Sequence, residues 1–331
     1  MNDRLSAQGL GALWGGVLTN RWGRIALALL AGAAAALTHP PFGVLPGLLG
    51  YPLLMLLTER SRTVKGGFWM GWLAGFAYFF IGCWWVAEAF LVNKDQAWMA
   101  PFAASLLPMG LGLFFGAATA LYRRFAPREA VRRVLLFAAL FALLEWLRGH
   151  MLTGFPWNPT GASWLAGSAM SQFASVAGVY GLGLVTLAAV SALGLVASGG
   201  PRRPRLIAAG LGVAVLAGLF AFGTLRLTSA KPVDGPTLVR LVQADIPQES
   251  KWSPEAYQAI VDRYVALTAQ PGAALPDVVV WPEGALPATA NDVFNSSDAQ
   301  AIAGALQTGQ TLLMGISRGE ADATAEGGAR Y

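Results

Sequence analysis

Seven apolar runs separated by short loops fill the first 230 residues, and no other feature of this sequence narrows the fold as much. They cover residues 25–37, 44–57, 68–92, 98–122, 134–147, 169–197 and 206–227. A helix that crosses the hydrocarbon of a bilayer needs about 20 mostly apolar residues. Only 12% of the residues are charged and the mean hydropathy is +0.51, whereas about 25% are charged in soluble domains. The expectation is a polytopic α-helical membrane bundle of about seven spans. The first two runs are short and flank His39-Pro40-Pro41-Phe42-Gly43; a tilted pair or a shallow re-entrant hairpin would each leave both flanks on one side. The first run follows Arg21 and Arg24 as a cleaved signal would, but the spans behind it make it a membrane segment.

Charge alternates along these runs. Arg4, Arg21 and Arg24 precede the first; Arg60, Arg62 and Lys65 follow the second; five arginines between 123 and 133 follow the fourth; Arg202, Arg203 and Arg205 follow the sixth. The loops between them hold only Lys94 and, at a helix end, Arg148. The positive-inside bias then places the N-terminus in the cytoplasm and everything after the seventh run outside. Residues 1–233 hold 18 Lys/Arg against 6 Asp/Glu and residues 234–331 hold 5 against 12, or +12 and −7, matching the overall +5. Membrane topology accounts for the basic excess, so no nucleic-acid partner is expected.

Cys83 is the single cysteine and His39 and His150 are the only histidines, a set that offers neither a disulfide nor a metal site. Glu145 and Arg148 stand three apart on one helix face and are expected to neutralise each other. Glu88 is expected near water at a span end. Gly71 with Gly75, and Gly112 with Gly116, have small-xxx-small spacing. The loop HMLTGFPWNP (150–159) is uncharged and aromatic; it suits an interfacial aromatic belt or a platform for a lipid tail.

After residue 230 the pattern changes to alternating strands and helices: strands at 237–243, 277–281 and 311–316, helices at 253–268 and 297–307. That order implies a largely parallel sheet, in which ligands gather beyond the carboxyl ends of the strands. The run VVVWPEGALP (278–287) delivers Glu283 there, directly after a strand. Pro282 fixes φ beside it, and Trp281 is expected to desolvate the carboxylate in the manner a general base requires.

EWLRGHMLTGFPWNPTG (145–161), VQADIPQESKW (242–252) and VVVWPEGALP (278–287) together resemble, in that order, the apolipoprotein N-acyltransferases of Gram-negative bacteria. The resemblance runs from the first span to the end of the chain. It implies an inner-membrane bundle over 1–230 and, over 231–331, the first part of a periplasmic nitrilase-like α-β-β-α sandwich with a Glu, Lys and Cys triad. It makes Glu283 the general base and Trp252 part of the substrate pocket, and sets Trp157 and Phe155 near the acyl-chain entrance; Lys251 does not match the triad lysine. The implied reaction moves an acyl chain from a membrane phospholipid, through a cysteine thioester, to the N-terminal amine of diacylglyceryl-cysteine apolipoproteins. No cofactor is implied, and a monomer is expected. After Glu283 the sequence has neither lysine nor cysteine, and its tail GEADATAEGGARY (319–331) looks like the hairpin preceding the family's lysine. A truncated chain, inactive by itself, is therefore expected. A membrane-tethered nitrilase-like amidase and a non-catalytic lipid-binding or transporter-like protein are the alternatives.

Overall fold

The computed structural model describes residues 20–91, 94–198, 201–231, 233–247, 251–321 and 329–330. Arg4, Pro232, Glu249, Ser250 and most of the closing hairpin motif lie outside the described residues. Two compact units, Met1–Ala230 and Lys231–Tyr331, make up the chain.

The first unit is helical: α1 (Arg21–Ala36), a 3-10 turn (Leu45–Leu49) running into α2 (Gly50–Glu59), α3 (Val64–Gly82), α4 (Ala100–Phe125), α5 (Ala130–His150), α6 (Ala174–Gly194) and α7 (Arg202–Ser229). Local chemistry sets the starts: the Asn20 side chain accepts from the Trp22 amide, and Thr63 accepts from Gly66, supplying partners for first-turn N–H groups. Three helical segments, Lys94–Phe125, Ala169–Ala197 and Arg202–Ser229, are long and apolar enough to cross a membrane. A fourth qualifies if α3 and the 3-10 turn Trp84–Phe90, bent by 55°, form one span. The remaining expected spans fall short for physical reasons. At about 1.5 Å per residue, the 16 residues of α1 reach about 24 Å, less than the roughly 30 Å hydrocarbon core. Leu45–Glu59 is also short, and α5 carries Arg132, Arg133, Glu145 and Arg148.

The loops separate by chemistry at the two ends of this bundle. At one end Arg24 donates to Ser61 Oγ (2.7 Å), Arg123 Nε to the Ser61 carbonyl (2.6 Å), and Arg133 pairs with Glu59 (3.1 Å), which also accepts from Tyr122 (2.6 Å). The basic flanks of α1, α2, α4 and α5 therefore meet, as the charge alternation requires. At the other end the Tyr78 hydroxyl reaches His39 Nε2 and the Asn158 carbonyl, both at 2.6 Å, and Asn158 Nδ2 donates to the Gly82 carbonyl (3.2 Å).

Glycines let these helices touch backbone to backbone. A Cβ on Gly75 would lie 2.8 Å from Gly112 Cα, and one on Gly71 would lie 2.4 Å from the Phe115 carbonyl, so the two small-residue patterns face each other across α3 and α4. On Gly32 it would lie 1.8 Å from the Ala74 carbonyl. Gly32→Val is thus expected to force α1 off α3 and cost about 3 kcal/mol, the upper end for overpacking. Gly210→Ala, with open space around it, is the control whose melting temperature in detergent should not fall.

The second unit contains the expected parallel sheet, with strands β1 (Val239–Leu241), β2 (Val278–Trp281) and β3 (Thr311–Met314) in the order β1-β2-β3. Helices α8 (Tyr257–Ala269) and α10 (Ser297–Ala305) supply the crossovers. A short α9 (Ala290–Phe294) precedes α10; it starts at a capping box in which Thr289 and Asp292 exchange hydrogen bonds. The core is built from Val242, Ile260, Val261, Tyr264, Val279, Trp281, Val293 and Ile302. Burial pushes the Tyr257 hydroxyl up to about 12, so it remains the donor to Asp298 (2.8 Å) that ties α8 to α10. Strands β4 (Glu320–Ala321) and β5 (Ala329–Arg330) pair antiparallel, the hairpin expected of the tail. Among the described residues there is one three-stranded sheet and this pair; two stacked sheets are not formed.

Candidate active site

The central strand sets the position of Glu283. Val279 and Trp281 lie on the buried face of β2, because successive side chains alternate across a strand. Pro282 ends the strand, and Gly284 turns the chain at φ +58°, a conformation glycine adopts without strain. From the neighbouring strand end Gly315 closes on this turn: a Cβ there would lie 2.7 Å from Glu283 Cα and 3.1 Å from its N. The Glu283 backbone is therefore gripped while its side chain is exposed. Gly315→Ala should displace Glu283. The expected result is a lower melting temperature for the second unit and, in an activity assay, a loss intermediate between wild type and a Glu283 variant.

One expectation fails here. Trp281 does not desolvate Glu283: it is 2% exposed, its indole N–H donates to Thr268 Oγ1 (2.9 Å), and its ring packs on Tyr264 with centroids 4.7 Å apart. Strand alternation sends the tryptophan into the core, and the turn through Pro282 and Gly284, which breaks that alternation, leaves the carboxylate outside it. What stands beside the turn that follows Glu283 is a cation. A Cβ on Gly284 would be 3.3 Å from Lys251 Nζ, and the same ammonium lies 5.8 Å from the centroid of the Trp252 ring. Trp252 is 62% exposed. The loop after β1 and the turn after β2 thus meet at the carboxyl edge of the sheet and bring Glu283, Lys251 and Trp252 into one neighbourhood. Asp245, at φ +51°, bends the chain out of β1 toward that loop.

Phe155 and Trp157 belong to the first unit. Their rings are 6.2 Å apart, and Trp157 also meets Trp85 at 5.2 Å; Trp157 is 49% exposed. This aromatic loop is held by the pair expected to neutralise each other, whose charges act on one another without direct contact. Glu145 and Arg148 form no ion pair. Arg148 Nη1 donates to the carbonyls of Phe155 (2.5 Å) and Trp157 (2.8 Å), and its guanidinium carbon lies 5.0 Å from the Phe79 ring centroid. Glu145 accepts from the Thr160 amide (3.1 Å) and hydroxyl (2.6 Å). The Thr160 hydroxyl also lies 2.8 Å from the Tyr51 hydroxyl; with its own proton given to Glu145, it accepts from Tyr51. Both charged side chains are buried, at 3% and 2% exposure. The loop's carbonyls and amides compete successfully for charges that helix spacing alone would pair, since a buried backbone group must find a partner. Non-glycine left-handed residues, Leu152 and Asn158, shape the same loop. The signal available in the sequence was an arginine at a helix end next to an uncharged, proline-containing loop.

Apolar helices sharing one basic end, followed in the sequence by a small parallel α/β unit with a carboxylate at a strand end, fit the class of membrane-bundle proteins that carry an appended α/β unit. Residues 31–193 match the family model described as the apolipoprotein N-acyltransferase N-terminal domain. The chain is 52% identical over 306 residues to the apolipoprotein N-acyltransferase of Caulobacter vibrioides, covering 90% of this chain and 57% of that protein. It is 36% identical over 313 residues to that of Allorhizobium ampelinum (90% and 58%) and 37% identical over 326 residues to that of Brucella melitensis (92% and 59%). The chain belongs to the apolipoprotein N-acyltransferase family, and it spans 57–59% of the length of these relatives.

Proposed function

We propose that this chain is part of an enzyme that transfers an acyl chain from a membrane phospholipid to the N-terminal amine of a diacylglyceryl-cysteine apolipoprotein. The observation that carries this reading is Glu283, gripped by Gly315 at the end of the central strand with Lys251 against the Gly284 turn that follows it, in a chain whose relatives carry that name. In the proposed mechanism Glu283 takes the proton from a cysteine thiol. The thiolate attacks the phospholipid ester, an S–C bond forms, the C–O bond breaks, and the lysophospholipid alkoxide leaves with the proton. The apolipoprotein amine then attacks the thioester and gives up a proton to Glu283; an N–C bond forms, the C–S bond breaks, and Glu283 passes that proton to the leaving thiolate. A lysine would stabilise the oxyanion. Cys83 is 2% exposed within the helix bundle, and no cysteine or lysine follows Glu283. We therefore propose that these 331 residues do not complete the transfer by themselves.

The basic end of the bundle supports a cytoplasmic N-terminus, with the second unit on the periplasmic side of the inner membrane as part of a nitrilase-like sandwich. Trp252 would shape the pocket, and Phe155 and Trp157 the acyl-chain entrance. The reading is tested with the native protein, as encoded, in liposomes of phospholipid and a diacylglyceryl-cysteine peptide. Acylated peptide and lysophospholipid should appear in equal amounts. Release of free fatty acid with no acylated peptide would favour a hydrolase instead.

A further inference from the structure

At the basic end of the bundle, where α1 and α3 begin, the two helices part around a groove of about 480 Å³. Arg21 and Arg24 line it at that end; Ile25, Met70 and Leu73 line it farther along, and Trp69 borders it. Trp69 is 46% exposed. The two arginines are three residues apart, so they share a helix face.

Their charge is not answered by any described acidic residue. Arg24 gives one nitrogen to Ser61 Oγ (2.7 Å), while its Nε is buried without a partner. Arg21 stands 6.0 Å from the Trp22 ring centroid. Of the described acidic residues at this end, Glu59 is taken by Arg133 and Tyr122 and Glu129 by Arg132, and among the described residues neither Arg21 nor Arg24 forms an ion pair. Two cations with no ion-pair partner among the described residues, above an apolar floor in a bundle that holds membrane-length helices, match an amphiphile with an anionic head. A soluble anion would leave Ile25, Met70 and Leu73 facing water, and an uncharged lipid would leave the guanidinium groups without an acceptor.

We propose that this groove binds an anionic phospholipid from the leaflet at the basic end, with the phosphate between Arg21 and Arg24 and an acyl chain along Ile25, Met70 and Leu73. Basic pockets between helices at such membrane faces recognise acidic head groups. The site lies at the end of the bundle opposite Phe155 and Trp157, and its occupancy does not depend on the proposed acyl transfer.

The test titrates phosphatidylglycerol against the native protein in detergent by native mass spectrometry, with phosphatidylcholine and inorganic phosphate as separate arms. Phosphatidylglycerol should bind and the other two should not. Arg21→Ala with Arg24→Ala should weaken it roughly 25-fold, from about 1 kcal/mol per arginine and tenfold per 1.4 kcal/mol. Equal binding of phosphatidylcholine, equal competition by phosphate, or an unchanged affinity in the double variant would overturn the proposal. A phosphatidylglycerol with a photoreactive group on its acyl chain requires no variant: adducts should map to Ile25, Met70 or Leu73. Adducts confined to other segments would also overturn it, whether residues 1–19 or a second copy of the chain fills the groove.

Discussion

Replacing Glu283 by Gln in the native protein is expected to slow acyl transfer by about 10³-fold, within the 10²- to 10⁴-fold range of a positioned general base, or about 4 kcal/mol of barrier. The substitution keeps the size of the side chain and removes its ability to accept a proton. The side chain is exposed and forms no ion pair among the described residues, so the melting temperature should stay within about a degree of wild type. Because the proposed mechanism uses Glu283 in both half-reactions, the formation and the consumption of the acyl-enzyme should slow together. A rate unchanged in the variant would remove Glu283 from the chemistry.

Arg148→Leu is the second large effect. It removes both donors to the Phe155 and Trp157 carbonyls and leaves those carbonyls in a poorly hydrated place. A hydrogen bond to a charged group contributes about 1.5–3 kcal/mol, so two place the expected loss near 4 kcal/mol. The loop at 151–159 should become open to protease. Arg148→Lys should recover only part of the loss, because its ammonium ends one bond short of Nη1, the single nitrogen that makes both bonds. A variant that melts like wild type, with its loop still resistant, would show that the clamp contributes little.

The sequence shows most of the second unit directly: β-branched runs mark β1, β2 and β3, and intervening amphipathic helices force them parallel. Thr289 and Asp292, three apart, form a capping box that announces α9, a signal hidden in a stretch read as loop. The face of Trp281 was equally available from strand alternation with Val279; what misled was its adjacency to Glu283, since Pro282 and Gly284 turn the chain between core and edge. Tertiary partners decide the rest. Glu145 and Arg148 have ideal spacing for each other, yet Thr160 and the carbonyls of Phe155 and Trp157 take them. The run at 68–92 reads as one span, and the break at Cys83 (φ −131°) has no proline to announce it. The flanks that carry the alternating basic charge do meet at one end of the bundle, through Arg24, Ser61, Arg123 and Arg133.

The most direct measurement is to trap the acyl-enzyme. Native protein incubated with phospholipid and no apolipoprotein, then analysed intact by mass spectrometry, should gain one acyl chain that neutral hydroxylamine removes, as expected of a thioester. The Glu283→Gln protein should gain none in the same interval. A hydroxylamine-stable adduct, or acylation of the variant at the wild-type rate, would contradict the proposed role of this strand-end carboxylate.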